Sequence, residues 1–358
     1  MEEMSIFDEK CFKFNCQEDN GSVVTDNILQ HIKFGLKAIE DKPPLILSLS
    51  GGVDSMVLLD AFCKLGIEFY CLHIDYGNRL ETEKEAKYLE SYCASRSVPL
   101  TCYTMTIQRG DDARSRSEYE RITREQRFEA YKRLGDKVNT NVVCLGHHDD
   151  DVIENILCNI FNTQSLSDLG KMHLKSTVDG EHGLQMVRLL IGKMKVDIYK
   201  YAEENNIFYF KDSTPKWSKR GQIRDNILPQ LENVFPRARE QLLRFNENNT
   251  SNSRLLQLML ANYTNFHFMV KDKGTKILGI PGDLSQECSL LNEIGLWRYI
   301  FAQATKRLGC EAISQKSLQN FMQNIGKRRI TLSRNIHVEN DGGKFTIVLS
   351  NLPSSGKD

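Results

Sequence analysis

The stretch Leu45-Ile46-Leu47-Ser48-Leu49-Ser50-Gly51-Gly52-Val53-Asp54-Ser55-Met56-Val57-Leu58-Leu59 constrains the fold more than any other part of the chain. Its first residues are apolar steps after Pro43-Pro44, the pattern of a buried strand. From Val53 to Cys63 the apolar residues take helical spacing, so Ser50-Gly51-Gly52 must turn a strand directly into a helix. Two glycines permit that turn and let a ligand approach backbone N–H groups with no Cβ between. The new helix adds unpaired amides and the positive end of its dipole, which together suit a phosphate. Ser50 and Ser55 add hydroxyl donors. Asp54 would repel a bare phosphate and makes sense with Mg²⁺ between them. A plain helix-start acid is the alternative reading.

Downstream, strand and helix patterns alternate. Ile28, Leu29, Ile32, Leu36 and Ile39 form a helical stripe, and 69–74, 100–105 and 141–146 read as strands, with a charged amphipathic helix over 81–95. Such alternation predicts an α/β fold, a doubly wound parallel sheet with helices on both faces. Ligands then bind at the carboxyl ends of the strands, where Ser50–Ser55, His73–Arg79 and Gly146–Glu154 fall.

A length of 358 residues allows two or three domains. The 47 basic and 47 acidic residues cancel, so any nucleic-acid contact must come from local patches. No segment has the run of about 18 apolar residues a membrane helix needs, and Met1-Glu2-Glu3-Met4 argues against a secretory signal. The ten cysteines include no C-x-x-C pair, as expected for reduced thiols in a cytoplasmic protein rather than a zinc or iron–sulfur site.

The second informative stretch is Gly146-His147-His148-Asp149-Asp150-Asp151-Val152-Ile153-Glu154-Asn155. A helix starting at its head would set His147 with Asp151, and Asp150 with Glu154, at i,i+4 spacing. Three acids suit a hard cation, so Asp54, Asp150 and Asp151 are the candidate Mg²⁺ ligands. Residues 109–133 hold eight basic and six acidic residues, a solvated helix face from which Arg114, Arg121 and Arg124 could touch substrate. Residues 162–185 read as a long polar loop. From Arg188 to Arg224 nine basic residues face four acids, with Tyr209 and Trp217 available for base stacking, which favours nucleic acid over a bland basic loop.

Ser50-Gly51-Gly52-x-Asp54-Ser55 resembles the PP-loop of ATP pyrophosphatases. His147-x-x-Asp150-Asp151-x-x-Glu154 resembles the second motif of the tRNA(Ile)-lysidine synthetases, as does the run from Arg188 through Asp197-Ile198-Tyr199-Lys200-Tyr201-Ala202 to Asp212, Arg220, Arg224 and Leu228-Pro229. The likeness continues through 236–243 to Gly326-Lys327-Arg328-Arg329-Ile330-Thr331-Leu332. It departs at Arg188-Leu189-Leu190, which lacks the family's proline, at Asn155 in place of threonine, and at 73–79, where Asp75 and Tyr76 replace Asn and His.

The resemblance implies ATP and Mg²⁺ as cofactors, and tRNA and free lysine as partners. It also implies two steps, adenylation of the wobble cytosine and displacement of AMP by lysine. It carries catalytic roles to Asp54, His147, Asp150, Asp151 and Glu154, with the general base left open among Asp54, Asp150, Asp151 and Glu154. Nucleotide binding falls to Ser48, Ser50, Gly51, Gly52, Val53, Asp54, Ser55, His73, Asp75 and Gly146. Substrate and tRNA contacts fall to Arg79, Arg114, Arg121, Arg188, Lys195, Asp212, Arg220, Arg224, Lys327, Arg328 and Arg329. The rivals are a tRNA thiolase of the same superfamily, opposed by the unpaired cysteines, and a non-catalytic RNA-binding protein with a vestigial loop, opposed by the intact loop and acidic helix.

The expected organisation is an arm over 1–26, a catalytic domain over 27–228, a helical linker over 229–270 and a small α+β tRNA-contacting domain over 271–358. In the last, helices at 290–308 and 318–325 precede short strands at 329–333, 335–340 and 344–349, with Asp341-Gly342-Gly343 as a hairpin turn. Trp297 reads as core, and 316–334 carries five basic residues and no acid. A homo-oligomer is left open.

Overall fold

The structure, a computed structural model, describes residues 23–39, 43–76, 82–105, 116–161, 169–178, 183–212, 217–259, 265–271, 275–280 and 292–350. They form two compact units, Met1–Thr250 and Ser251–Asp358.

In the first unit, α1 (Val23–Gly35) and a 3₁₀ turn (Leu36–Ala38) lead to β1 (Leu45–Ser48), α2 (Val53–Lys64), β2 (Phe69–Asp75), α3 (Thr82–Ser95), β3 (Leu100–Thr104), α4 (Arg116–Val138) and β4 (Val142–Cys144). There follow α5 (Asp149–Phe161), β5 (Lys175–Thr177), β6 (Gln185–Val187), α6 (Lys195–Glu204), α7 (Lys219–Gln222), α8 (Leu228–Val234) and α9 (Ala238–Met259), whose residues after Thr250 belong to the second unit. A π-helical turn, Ile223–Ile227, joins α7 to α8. The sheet runs β3-β2-β1-β4-β6-β5. All its pairings are parallel except β5 with β6, so the α/β expectation holds with one antiparallel edge.

β1 is central and buried on both faces, which is why its sequence runs apolar without alternating. Leu45 and Leu47 pack into the cluster with Met56, Phe62 and Ile198, whereas Ile46 packs on the other face with Leu72, Phe128 and Tyr131. Beyond β1, His73 is 5% exposed and its Nδ1 lies 2.8 Å from the Leu49 carbonyl. That contact ties the end of β2 to the segment leading into the glycine turn.

Three readings are corrected. Residues 162–185 are not loop throughout, because Lys175–Thr177 pairs with Gln185–Val187 and extends the sheet. Ile207-Phe208-Tyr209-Phe210, whose apolar run reads as a short strand in the sequence, forms none; Phe210 donates a backbone bond, 2.9 Å, to Gly51. The leucine-rich stretch 230–265, which reads as helix in the sequence, is interrupted between α8 and α9, around Pro236.

The second unit has β7 (His267–Lys271), β8 (Thr275–Gly279), α10 (Ile294–Leu308), α11 (Gln315–Gln323), β9 (Arg329–Thr331), β10 (Ile336–Asp341) and β11 (Lys344–Leu349). Its antiparallel sheet runs β7-β8-β11-β10-β9, two strands more than the sequence pattern showed. Trp297 is fully buried, with the rings of Phe321 and Phe345 edge-on at 4.6 and 4.7 Å. Gly342 and Gly343 take positive φ, 62° and 97°, as a two-residue hairpin turn requires.

Candidate active site

The loop after β1 folds as the sequence required. Gly51 sits at φ +81°, and a Cβ there would come within 2.2 Å of the Phe210 ring, so only glycine fits. Gly146, at the end of β4, lies against the loop: a Cβ on it would meet that of Asp54 at 2.9 Å. Ser55 spends its hydroxyl inside the loop, accepting from the Gly51 N–H at 3.1 Å and donating to the Gly52 carbonyl at 3.0 Å. Ser50 Oγ accepts from the Gly52 N–H at 3.3 Å. Gly52 is the N-cap of α2 and supplies no side-chain cap. The first amides of α2 are therefore left for a ligand, a cradle that fits a phosphate.

Asp54 opens α2, and Lys195 at the start of α6 donates to both its oxygens, at 2.7 and 2.6 Å. His148 comes alongside, with Nε2 3.5 Å from Asp54 Oδ1 and 3.4 Å from Asp151 Oδ2. The His148 backbone N–H also donates to Asp151 Oδ2 at 3.1 Å. Burial opposes ionisation of Asp151, but the two neighbouring histidines and this bond hold its carboxyl below the usual range.

Both oxygens of Asp150 are engaged: Oδ2 accepts from the Lys195 backbone N–H at 2.7 Å, and Oδ1 from Arg239. Arg239 also bonds Glu232, at 2.7 Å. Glu154 is 1% exposed; its Oε1 accepts from Arg224 Nε at 2.8 Å, while Oε2 has no partner among the described residues. Arg224 reaches Asp212 as well. Burial works against the charge on Arg224, yet the bond to Glu154 and the field of Asp212 outweigh it and raise its pKa.

Two cavities open beside the loop and share Ser50, Asp54, Asp151 and Arg220. One, of about 820 Å³, is lined by Asp150, Glu154, Asp212 and Glu232 together with Lys195, Arg224 and Arg239. The other, of about 990 Å³, is lined by Arg124, Arg127, Arg188 and His147 beside Tyr76, Phe128 and Tyr131. The guanidiniums of Arg124 and Arg127 lie 4.9 and 5.8 Å from the Phe128 ring centroid. Ser48 Oγ is 2.7 Å from the Tyr131 hydroxyl. Arg188 donates to the His173 carbonyl and to Ser176, at 3.0 and 2.9 Å.

The structure thus gathers Ser48, Ser50, Gly52, Val53, Asp54, Ser55, Gly146, His147, Asp150, Asp151, Glu154, Arg188, Lys195, Asp212, Arg220 and Arg224 around the two cavities. His73 and Asp75 line neither, and Arg121 is exposed and ion-paired to Glu125. Arg79 and Arg114 lie outside the described residues. Lys327, Arg328 and Arg329 are exposed in the second unit. The helix expected to begin at His147 begins at Asp149, so His147 faces the arginine-rich cavity and His148 faces the acids. Burial pushes the pKa of His147 down to about 4, Arg188 and Arg220 add to that, and Asp151 opposes it. Sequence reasoning gave no site role to Arg239, Glu232, Arg127 or Tyr131; of these Arg127 carried a signal three residues beyond Arg124, and Arg239 lay in the family-like stretch 236–243.

Residues 24–231 match the family described as the PP-loop domain. Over 210 residues, 58% of this chain and 64% of that protein, the sequence is 30% identical to a tRNA(Ile)-lysidine synthase of Chlamydia muridarum. Over 199 residues, 52% of this chain and 44% of that protein, it is 30% identical to the tRNA(Ile)-lysidine synthase of Staphylococcus aureus strain COL. The chain spans less than two thirds of the length of these curated relatives. The fold is similar to that of a U34-tRNA thiolase from Methanococcus maripaludis, solved with its [4Fe-4S] cluster, with a TM-score of 0.50 at 16% identity over 64% of this chain and 79% of that one.

Proposed function

The chain belongs to the PP-loop domain family, and from that premise we propose that it is a tRNA(Ile)-lysidine synthetase, an ATP-dependent ligase that joins free lysine to the wobble cytidine of a CAU-anticodon tRNA in the cytoplasm. The observation that carries the reading is the meeting, at one phosphate-accepting loop, of an arginine-rich cavity with a carboxylate-rich one. ATP belongs in the first. There Arg124, Arg127 and Arg188 offset its negative charge, Tyr76 offers a ring for a base, and the amides opening α2 receive its phosphates.

The cytosine O2 attacks the α-phosphate and pyrophosphate leaves. The lysine ε-amine then attacks C2 of the adenylated base, the C2–O bond breaks, and AMP departs. The attacking amine has to lose a proton, and Glu154 Oε2 is the acceptor we assign, since among the described residues it is the buried carboxylate oxygen on the acidic side without a bond. Asp54 and Asp151 would hold Mg²⁺. Asp54 already binds a cation in Lys195, so a positive ion suits that place, whereas Asp150 has both oxygens occupied. When bound, Mg²⁺ would neutralise charge on the departing pyrophosphate. Among the described residues no cysteine lines either cavity, which supports an amine over sulfur as the incoming group.

Incubation with ATP, labelled lysine and bulk tRNA, followed by mass spectrometry of the anticodon nucleoside, tests the reading. A gain equal to lysine minus water on cytidine is expected. A sulfur-for-oxygen shift would replace it with the thiolase, and an unchanged nucleoside with a binding protein.

A further inference from the structure

Lys195 lies where no simple substrate-contacting role would put it. Its ammonium donates to both oxygens of Asp54, so the one acid on the phosphate loop is neutralised by a side chain of the same protein. The base of that side chain is anchored: its backbone N–H is held by Asp150, which Arg239 holds in turn. The ammonium end is not walled in. Lys195 and Asp54 are 29% and 24% exposed, both line the acid-bearing cavity, and the ammonium lies 5.4 Å from the centroid of the Tyr199 ring. An anchored root with a partly exposed ammonium on a four-carbon stem is the build of a displaceable point charge.

We propose that Lys195 is the loop's built-in counter-cation. In the nucleotide-free protein it occupies the place on Asp54 that Mg²⁺ takes when the nucleotide arrives, and it then turns to the phosphates as a second positive charge. This rests on reading Asp54 as a metal-holding carboxylate. Without Lys195 the loop would present an uncompensated negative charge to an incoming polyanion. With it, the loop stays neutral until the metal displaces the ammonium. One consequence separates this role from plain phosphate binding: Lys195 competes with the metal, so removing it should strengthen metal binding while weakening catalysis.

The test uses the full chain and Mn²⁺ as the metal probe, with free Mn²⁺ followed by electron paramagnetic resonance in the absence of nucleotide. Lys195→Met should bind Mn²⁺ about five-fold more tightly than wild type, the equilibrium counterpart of losing one partly exposed ion pair, and should release pyrophosphate more slowly with ATP and tRNA. Lys195→Arg, which keeps the charge and the helix, should bind Mn²⁺ as weakly as wild type. If Lys195→Met binds Mn²⁺ no better than wild type, the counter-cation role is overturned. Asp54→Asn in the Lys195→Met background separates the two claims. Loss of the added Mn²⁺ affinity is expected; its persistence would mean that Asp54 is not the ligand and would sink the reading beneath. Neither arm depends on which group is transferred to tRNA.

Discussion

The two cavities flanking the phosphate loop share a wall and differ in how their charges are handled. On the arginine-rich side, Arg124, Arg127 and Arg188 face a lining whose only carboxylates among the described residues are the shared Asp54 and Asp151, and Arg188 bonds neutral acceptors. On the other side every added carboxylate has a cation on it: Arg239 at Asp150 and Glu232, and Arg224 at Glu154 and Asp212. The first side has positive charge to spend on a polyanion. The second is nearly balanced, so a ligand enters by exchanging ion pairs. Raw counts of acids and bases along the chain do not separate these cases; the pairing does.

The largest effect should come from the acidic side. Glu154→Gln removes the proposed proton acceptor and should slow lysine incorporation by about 10²- to 10⁴-fold while pyrophosphate release continues. Rapid-quench measurement of both steps would show it, and equal loss in both would erase the division of labour. Next, Arg124→Gln with Arg127→Gln should raise KM for ATP about ten-fold or more, the loss of charged contacts, and leave KM for lysine unmoved. A change confined to lysine would reverse the assignment. Neutralising Lys327, Arg328 and Arg329 touches neither cavity. Filter-binding titrations should show tRNA affinity falling several-fold and the salt slope flattening by about two to three; an unaltered slope would put the contacts elsewhere.

The smallest expected effect is on stability and belongs to His147. Its pKa in the folded chain, about 4, is below the ordinary 6.5, so the unfolded chain binds more protons between those values. Stability therefore rises from pH 4 to 6.5 and is lost as the pH falls back through that window. His147→Gln should remove on the order of 1–3 kcal/mol of that acid sensitivity, read as a smaller gap in denaturant midpoint between pH 4 and 7. A gap as wide as in wild type would mean that His147 is not the group responsible.

The strand, turn and helix at 45–64 were legible because burial on both faces leaves an unbroken apolar run that then changes period. The carboxylates of α5 were legible as a group but not as individuals. Asp150 and Glu154 look alike in sequence; what divides them is Arg239, 89 residues beyond Asp150, and Arg224, 70 beyond Glu154, and such pairings leave no periodic trace. The two histidines illustrate a finer limit. A helix start displaced from His147 to Asp149 sends His148 to the acids and His147 to the arginines. β5 was hidden because Lys175-Ser176-Thr177 is polar throughout, with only one strand beside it.

The π-helical turn at Ile223–Ile227 has a consequence for what this region tolerates. Arg220, Arg224, Leu228 and Glu232 all line one cavity at strict four-residue intervals. An ordinary helix turns about 100° per residue, so every fourth side chain drifts by roughly 40° and the fourth in the series would sit about a third of a circle from the first. A turn closed by i→i+5 bonds winds more slowly and takes back part of that drift. The widened turn thus acts as a vernier, keeping a guanidinium at one end and a carboxylate at the other in phase on a single wall. Deleting one residue there would regularise the helix, improving it by every local measure, and would turn one end of the wall out of the cavity.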